Sequence, residues 1–179
     1  MPSLVPVSST AVAQSFTSPR GFLAVEGDSS HFALFNPGYE RFQQIDDTWT
    51  GQPLQGLRSI AFRRDGDLAS ANGGPRQMQL SVDLGEARWA SISGNFAGNW
   101  SGTPTRVFTP KNVNLPDWTM LPATSPAPFD FPVPFDQPFD YSGNDALAFE
   151  LTIAYCRITN SKVCTFSEPV RNRSICAQR

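Results

Sequence analysis

Proline and glycine interrupt this sequence so often that little room is left for long helices. They account for 16 and 13 of the 179 residues, and no long stretch combines a helical apolar period with helix caps. Apolar and polar side chains alternate instead, which is the pattern of a strand with one buried face. The alternating runs are residues 59–63, 77–84, 89–93, 129–135 and 147–153.

Turn signals separate these runs at the spacing typical of an all-β protein. They are Asp65-Gly66-Asp67, Asn72-Gly73-Gly74-Pro75 and Ser142-Gly143-Asn144-Asp145. We therefore predict an antiparallel β-sandwich, with a jelly roll favoured over an immunoglobulin-like topology. The length suits one domain. We expect the sandwich to cover 1–155, and 156–179 to form a basic, Cys-containing hairpin or tail packed on the same domain or on a neighbour.

The run at 129–135 is unusual because proline occupies two alternate positions, Pro132 and Pro134. Proline donates no backbone hydrogen bond, so such a strand belongs at a sheet edge, where it would also block the addition of another strand. An irregular extended segment held by its Phe side chains fits the pattern equally well. For the segment 39–47, a strand or a turn is favoured over a short helix.

Charge and composition exclude several classes of function. A net charge of −2 argues against a nucleic-acid partner, whose phosphates need a basic surface. Every apolar run is shorter than the roughly 18 residues of a membrane span. One histidine, His31, rules out a multi-His metal centre, and neither a nucleophile elbow nor a distinct carboxylate pair stands out. We predict that the protein is not an enzyme and needs no cofactor.

Calcium is the one metal that the sequence would suit, because acidic turns supply hard oxygen ligands. The candidate ligands are Asp65, Asp67 and Asn72. Their spacing does not match an EF-hand, and an ordinary turn, in which Asp caps its own backbone, is the favoured alternative.

Two tryptophans, Trp49 and Trp100, lie in Gly- and Thr- or Ser-containing segments typical of loop tips. An exposed indole can stack on the C–H face of a sugar, so both are candidate carbohydrate-binding residues. The alternative is that each ring folds back over the end of the sandwich. Trp89 lies in an alternating run and is expected in the core.

The three cysteines, Cys156, Cys164 and Cys176, all lie near the end of the chain. If the segment between the first two folds as a hairpin, they face each other and a disulfide is sterically possible. The alternatives are three reduced thiols or a bond between the second and third. A Cys156–Cys164 bond would leave Cys176 for an intermolecular contact.

The C-terminal segment is also the basic part of the chain. Residues 157–179 carry five basic side chains against one acidic, a net charge of +4, on an otherwise acidic protein. Such a split favours head-to-tail association between copies, with Arg171, Arg173 and Arg179 as contact residues. Our leading hypothesis is a structural or assembly subunit that binds copies of itself or other proteins. The alternative is a carbohydrate-binding module.

Several short blocks resemble an uncharacterised β-sandwich domain of secreted and cell-surface bacterial proteins. They are Arg41-Phe42-Gln43-Gln44, residues 57–65, residues 92–99, Val107-Phe108 and residues 135–143. The resemblance implies an extracellular or cell-surface location and a β-sandwich, and it carries no catalytic residues.

Residues 1–20 lack the basic start and apolar core of a signal peptide. A secreted chain would thus be represented after processing or as an excised domain; a cytoplasmic origin or another export route is the alternative.

Overall fold

The protein is mostly antiparallel β structure arranged in two sheets. A computed structural model describes residues 14–27, 40–64, 66, 75–155 and 175–178. Its seven strands are β1 (Glu40–Asp46), β2 (Leu54–Phe62), β3 (Arg76–Ala87), β4 (Thr105–Leu115), β5 (Phe131–Tyr141), β6 (Ala146–Tyr155) and β7 (Ile175–Gln178). Helical segments in this part of the chain are short: 3-10 turns at Asp47–Trp49 and Trp89–Ser91, and α1 at Phe96–Asn99.

The larger sheet has five strands in the order β4-β3-β6-β1-β7. Its centre is the antiparallel pair β3 and β6, which runs in unbroken register from Met78 opposite Tyr155 to Ala87 opposite Ala146. Alternation predicted both strands because each has one face toward the core. The segment predicted as a strand or a turn is β1, which pairs antiparallel with β6.

The smaller sheet pairs β2 with β5, and β5 contains the proline-rich run. Pro132 and Pro134 are exposed, whereas Phe131 and Val133 between them are buried. The prediction of an edge strand is confirmed, since each strand of a two-stranded sheet has an unpaired side. Proline can occupy that side without leaving a buried donor unpaired.

Side chains join the unpaired side of β5 to the edge strand β4. Asp136 accepts hydrogen bonds from the Thr109 backbone N–H and hydroxyl, both at 2.8 Å, and forms an ion pair with Lys111. The Gln137 amide donates to the Arg106 carbonyl at 3.0 Å. These contacts connect the two sheets where a strand rich in proline supplies few backbone donors.

The core lies between the two sheets. The Phe62 ring contacts Phe131 in the small sheet and Phe149 in the large one, with ring centroids 6.2 and 6.1 Å apart. Buried Trp118 packs on Phe131 and donates its indole N–H to Asp130 at 3.0 Å. The two sheets therefore share one hydrophobic core, to which the segment before β5 contributes.

One predicted strand is wrong. The run at 89–93 forms a 3-10 turn over Trp89–Ser91, and Trp89 is half-buried rather than a core residue. The Arg88 N–H donates to the Asn99 carbonyl, and the Ser91 N–H returns to the Arg88 carbonyl. The chain turns directly after β3, and these backbone N–H and carbonyl groups form the hydrogen bonds of the turn. They are therefore not available to pair with a neighbouring strand.

The C-terminal strand β7 pairs in parallel with β1 of the same chain, from Gln43 opposite Ile175 to Asp46 opposite Gln178. Only the backbone of Cys176 is described. The other predicted tail residues lie outside the described residues: Cys156, Cys164, Arg171, Arg173 and Arg179. The disulfide and the intermolecular contact therefore stay predictions, as does the jelly roll, which this strand order does not establish.

The bonds to Asp136 lead to a pH prediction. Hydrogen bonds lower the pKa of Asp136 from 3.8 to about 2, the largest contribution coming from Lys111 and the next from Thr109. A depressed pKa stabilises the fold above the unfolded value, and that contribution is lost as pH falls through the folded value. We expect Asp136→Asn to lower the urea midpoint at neutral pH, and the difference from wild type to shrink between pH 4 and pH 2. A difference that is constant over this range would contradict the assignment.

Candidate functional site

The face of the large sheet opposite the core carries a row of polar side chains. Alternation in β1, β3 and β6 places every second residue there. Gln43, Glu150 and Asp83 are consecutive neighbours across the three strands. Beside them, Arg41, Thr152 and Ser81 form a second row in the same order. Directly opposite residues of an antiparallel pair have Cβ atoms about 5 Å apart, so these groups form one compact surface.

Two arginine–carboxylate ion pairs dominate this outer face. Arg41 donates to Glu150 Oε1 from Nε at 2.9 Å and from Nη2 at 2.5 Å. Arg106, from β4, binds Asp83 in bidentate fashion at 2.5 and 2.9 Å. Hydrogen bonding to Asp83 is the main cause that raises the pKa of Arg106. Glu150 is only 4% exposed, and a carboxylate that is so buried needs a charged partner, which Arg41 supplies.

A broad cavity of about 640 Å³, widely open to solvent, lies over the ion pairs. Its lining combines the side chains of the outer face with Trp100 and the residues that follow it: Arg41, Ser81, Asp83, Ala97, Trp100, Gly102, Thr103, Pro104, Arg106, Pro110, Glu150 and Thr152. We call this cavity the outer-face pocket. It brings together one aromatic ring, two ion pairs and several hydroxyl groups.

Trp100 is held by the end of β3. Residue 100 forms a single β-bridge with Ala87, and the Ser101 N–H donates to the Glu86 carbonyl at 2.8 Å. The indole packs so closely on Gly85 that a Cβ there would lie 3.1 Å from two ring carbons. A larger residue at position 85 would therefore displace the ring from its place in the pocket.

A buried amide pair connects Trp100 to the pocket carboxylate. Gln43 and Asn99 are both 0% exposed, and Asn99 Nδ2 donates to Gln43 Oε1 at 2.8 Å. Gln43 Nε2 lies 3.3 Å from the Phe96 carbonyl and 3.5 Å from Glu150 Oε2. The Asn99 amide also bonds the Ser93 backbone, at 2.8 and 3.0 Å. Gln43 thus contacts both Glu150 and the residue that precedes Trp100.

Trp49, the other predicted sugar-binding residue, does not line this pocket. Its indole N–H donates to the Thr17 carbonyl at 2.9 Å, Phe16 packs on it at 4.6 Å and Arg20 lies over the ring at 4.7 Å. The prediction that Trp49 is exposed is wrong, because residues 16–20 cover it. Trp100 is also half-buried rather than exposed, but it lines a cavity.

The remaining site predictions fall where the structure gives no description. The predicted calcium ligands Asp65, Asp67 and Asn72, and also His31, lie outside the described residues. Within the described part of the chain, no group of three or more His, Cys, Asp or Glu side chains is placed to hold a metal ion. No helix in that part is long and apolar enough to cross a membrane.

The sequence predicted Trp100 as a binding residue, which stays a prediction, and did not single out its polar neighbours Asp83, Arg41 and Arg106. For Asp83 and Glu150 a signal was present in the alternating runs 77–84 and 147–153, whose polar positions face away from the core; Arg41 and Arg106 lie outside these runs. Only the pairing register shows that Asp83 lies opposite Glu150. Alternation in the sequence predicts which face of the sheet a residue occupies, but it does not determine which residue lies opposite on the next strand.

Comparisons with protein-family models, with curated proteins and with solved structures found no match for this chain. The resemblance to a secreted bacterial β-sandwich domain therefore stays a prediction.

The buried amide pair can be tested by Asn99→Ala. Loss of Asn99 leaves the buried Gln43 carbonyl oxygen without its donor, so we expect the free energy of unfolding to fall by about 2 kcal/mol. Asn95→Ala is the matched control because Asn95 is exposed in the same loop; it should change stability by less than about 0.5 kcal/mol. Equal urea midpoints for the two variants would contradict the role given to Asn99.

Proposed function

We propose that this protein is a non-enzymatic, extracellular β-sandwich module that binds carbohydrate in the outer-face pocket. The observation that carries the proposal is the placement of Trp100 beside two ion pairs in one cavity of about 640 Å³. A jelly-roll topology and a cell-surface location belong to the same proposal. The first is supported by the short strands and the spacing of the turns in the sequence, and the second by the resemblance noted above.

The chemistry of a sugar matches this lining. The C–H face of a pyranose packs on an indole through dispersion and through the negative charge of the ring face. Sugar hydroxyls donate to carboxylates and accept from guanidinium groups. Trp100 supplies the first kind of contact, and the Arg106–Asp83 and Arg41–Glu150 pairs supply the second.

Binding without catalysis is the function that fits the two carboxylates. Glycoside hydrolysis needs an acid and a nucleophile or base on the two sides of the scissile bond. Asp83 and Glu150 instead lie side by side on neighbouring strands of one face, and each accepts hydrogen bonds from an arginine. Each carboxylate is thus held by an arginine and keeps acceptor positions for a hydroxyl, which suits recognition of sugars.

Substitution of the pocket tryptophan tests the binding proposal. We expect Trp100→Ala to weaken binding of a glycan by at least about tenfold, or about 1.4 kcal/mol, because the stacking surface is lost. The matched control is Trp89→Ala. Trp89 packs on the same small apolar cluster as Trp100 but does not line the pocket. Titration calorimetry on both variants separates the two roles.

Equal weakening in Trp100→Ala and Trp89→Ala would point to a loss of stability and would contradict the proposal. So would a failure of the wild-type protein to bind any member of a broad glycan panel.

A second candidate function is assembly with copies of the same chain. It is favoured by exposed apolar residues grouped around Arg63. The Arg63 guanidinium donates to the carbonyls of Phe22 and Val25 and lies 4.9 Å from the centre of the Phe129 ring. Leu23, between the first two, is 56% exposed. Apolar side chains grouped on a surface often mark a protein contact, and the net charge of +4 in 157–179 supports the same hypothesis.

Light scattering with and without reductant tests assembly. We expect a concentration-dependent oligomer that Leu23→Asp weakens, since the substitution puts a charge among the apolar contacts. Leu121→Asp is the control because Leu121 is equally exposed and lies outside the hydrogen bonds and ring contact described for Arg63. A wild-type protein that is monomeric at high concentration in both conditions would contradict assembly.

A further inference from the structure

We infer that the outer-face pocket selects a neutral glycan over a charged one, an inference that rests on the proposed carbohydrate-binding function. The charged side chains that line the pocket are Arg41, Arg106, Asp83 and Glu150, so their formal charges cancel. Each charge is also neutralised locally by a partner at hydrogen-bond distance. A uronic acid or sulfated sugar would find no net opposite charge in this lining.

An anionic sugar would have to compete for arginines that are already bound. Arg41 already donates from Nε and Nη2 to Glu150, so its positive charge is paired before a ligand carboxylate arrives. Glu150 is 4% exposed, and among the described residues its second oxygen has a long contact to Gln43 Nε2, at 3.5 Å. Removing the arginine would leave a buried carboxylate without its charged partner, which is strongly unfavourable.

The second arginine is committed in the same way. Arg106 uses Nε and Nη2 on the two oxygens of Asp83, a bidentate pair that already neutralises its charge. A cationic sugar meets the converse difficulty, because each pocket carboxylate carries a guanidinium group that would repel it.

Neutral hydroxyl groups avoid this competition. A hydroxyl donates one hydrogen bond and accepts others. Each guanidinium group has five N–H donors, of which the ion pair uses two. Two adjacent hydroxyls can therefore contact a carboxylate and its arginine together without breaking the ion pair. Trp100 then binds the apolar face of the same ring, which carries no charge either.

Titration calorimetry with matched hexasaccharides tests the inference on the full chain. The neutral probes are cellohexaose, xylohexaose, mannohexaose and laminarihexaose. The anionic probes are hexagalacturonate and hexaguluronate. We expect the best neutral probe to bind at least about tenfold more tightly than either anionic probe. Its affinity should change by less than about twofold when salt is raised tenfold, because no net charge is screened.

A charge-changing variant makes the same test within the pocket. Asp83→Asn removes one carboxylate and releases Arg106, so the lining gains a net charge of +1. We expect the anionic probes to gain at least about fivefold in affinity while the best neutral probe loses affinity. Asp136→Asn is the matched control: Asp136 is also paired with a basic side chain but lies outside the pocket, so neither preference should change. Thermal melts monitored by circular dichroism verify that both variants are folded.

The outcomes separate the inference from the function on which it rests. Tighter binding of an anionic probe to the wild-type protein, lost in Trp100→Ala, would overturn the neutral preference and leave carbohydrate binding in place. No change in preference on Asp83→Asn would also overturn the inference. Failure of all six probes would overturn both.

Discussion

The antiparallel register between β3 and β6 is the constraint on which the rest of the structure depends. It places Leu84 opposite Phe149 and Val82 opposite Leu151 on the inner face, and Asp83 opposite Glu150 on the outer face. A shift of β6 by one residue would turn Glu150 toward the small sheet and turn Phe149 and Leu151 out of the core. The core and the pocket therefore lie on opposite faces of the same strand pair, and packing of the hydrophobic core fixes the positions of the polar residues.

Burial of Glu150 links the stability of this sheet to its surface chemistry. A carboxylate that is 4% exposed needs a partner, and Arg41 supplies it from the neighbouring strand. Gln43 extends the connection to Asn99, and so to the position of Trp100. The polar network thus orients both the charged part and the aromatic part of the pocket.

The sequence predicted the strands in which apolar and polar residues alternate regularly. It was less informative where the alternation is interrupted. In β3 and β6 the alternation is regular, so both were found. In β4, Val107 and Phe108 are adjacent and both buried, because the register shifts between Val82, opposite Phe108, and Asp83, opposite Arg106; such an irregularity removes the alternating signal. The five-residue alternation at 89–93 had no pairing partner and formed a turn. The loop positions of Trp49 and Trp100 were predicted, whereas Trp89 was expected in a strand. The cover over Trp49 comes from residues 16–20, a contact that no local pattern encodes.

The central claim is that ligand binding takes place at Trp100, on the outer face of the large sheet. The most direct measurement uses the four tryptophans, whose indole N–H groups give four separate signals in a nitrogen–proton correlation spectrum. Titration with the neutral hexasaccharides should shift the signal of Trp100 while those of Trp49, Trp89 and Trp118 stay in place. A shift confined to Trp49, or four signals that do not move at saturating glycan, would contradict the account.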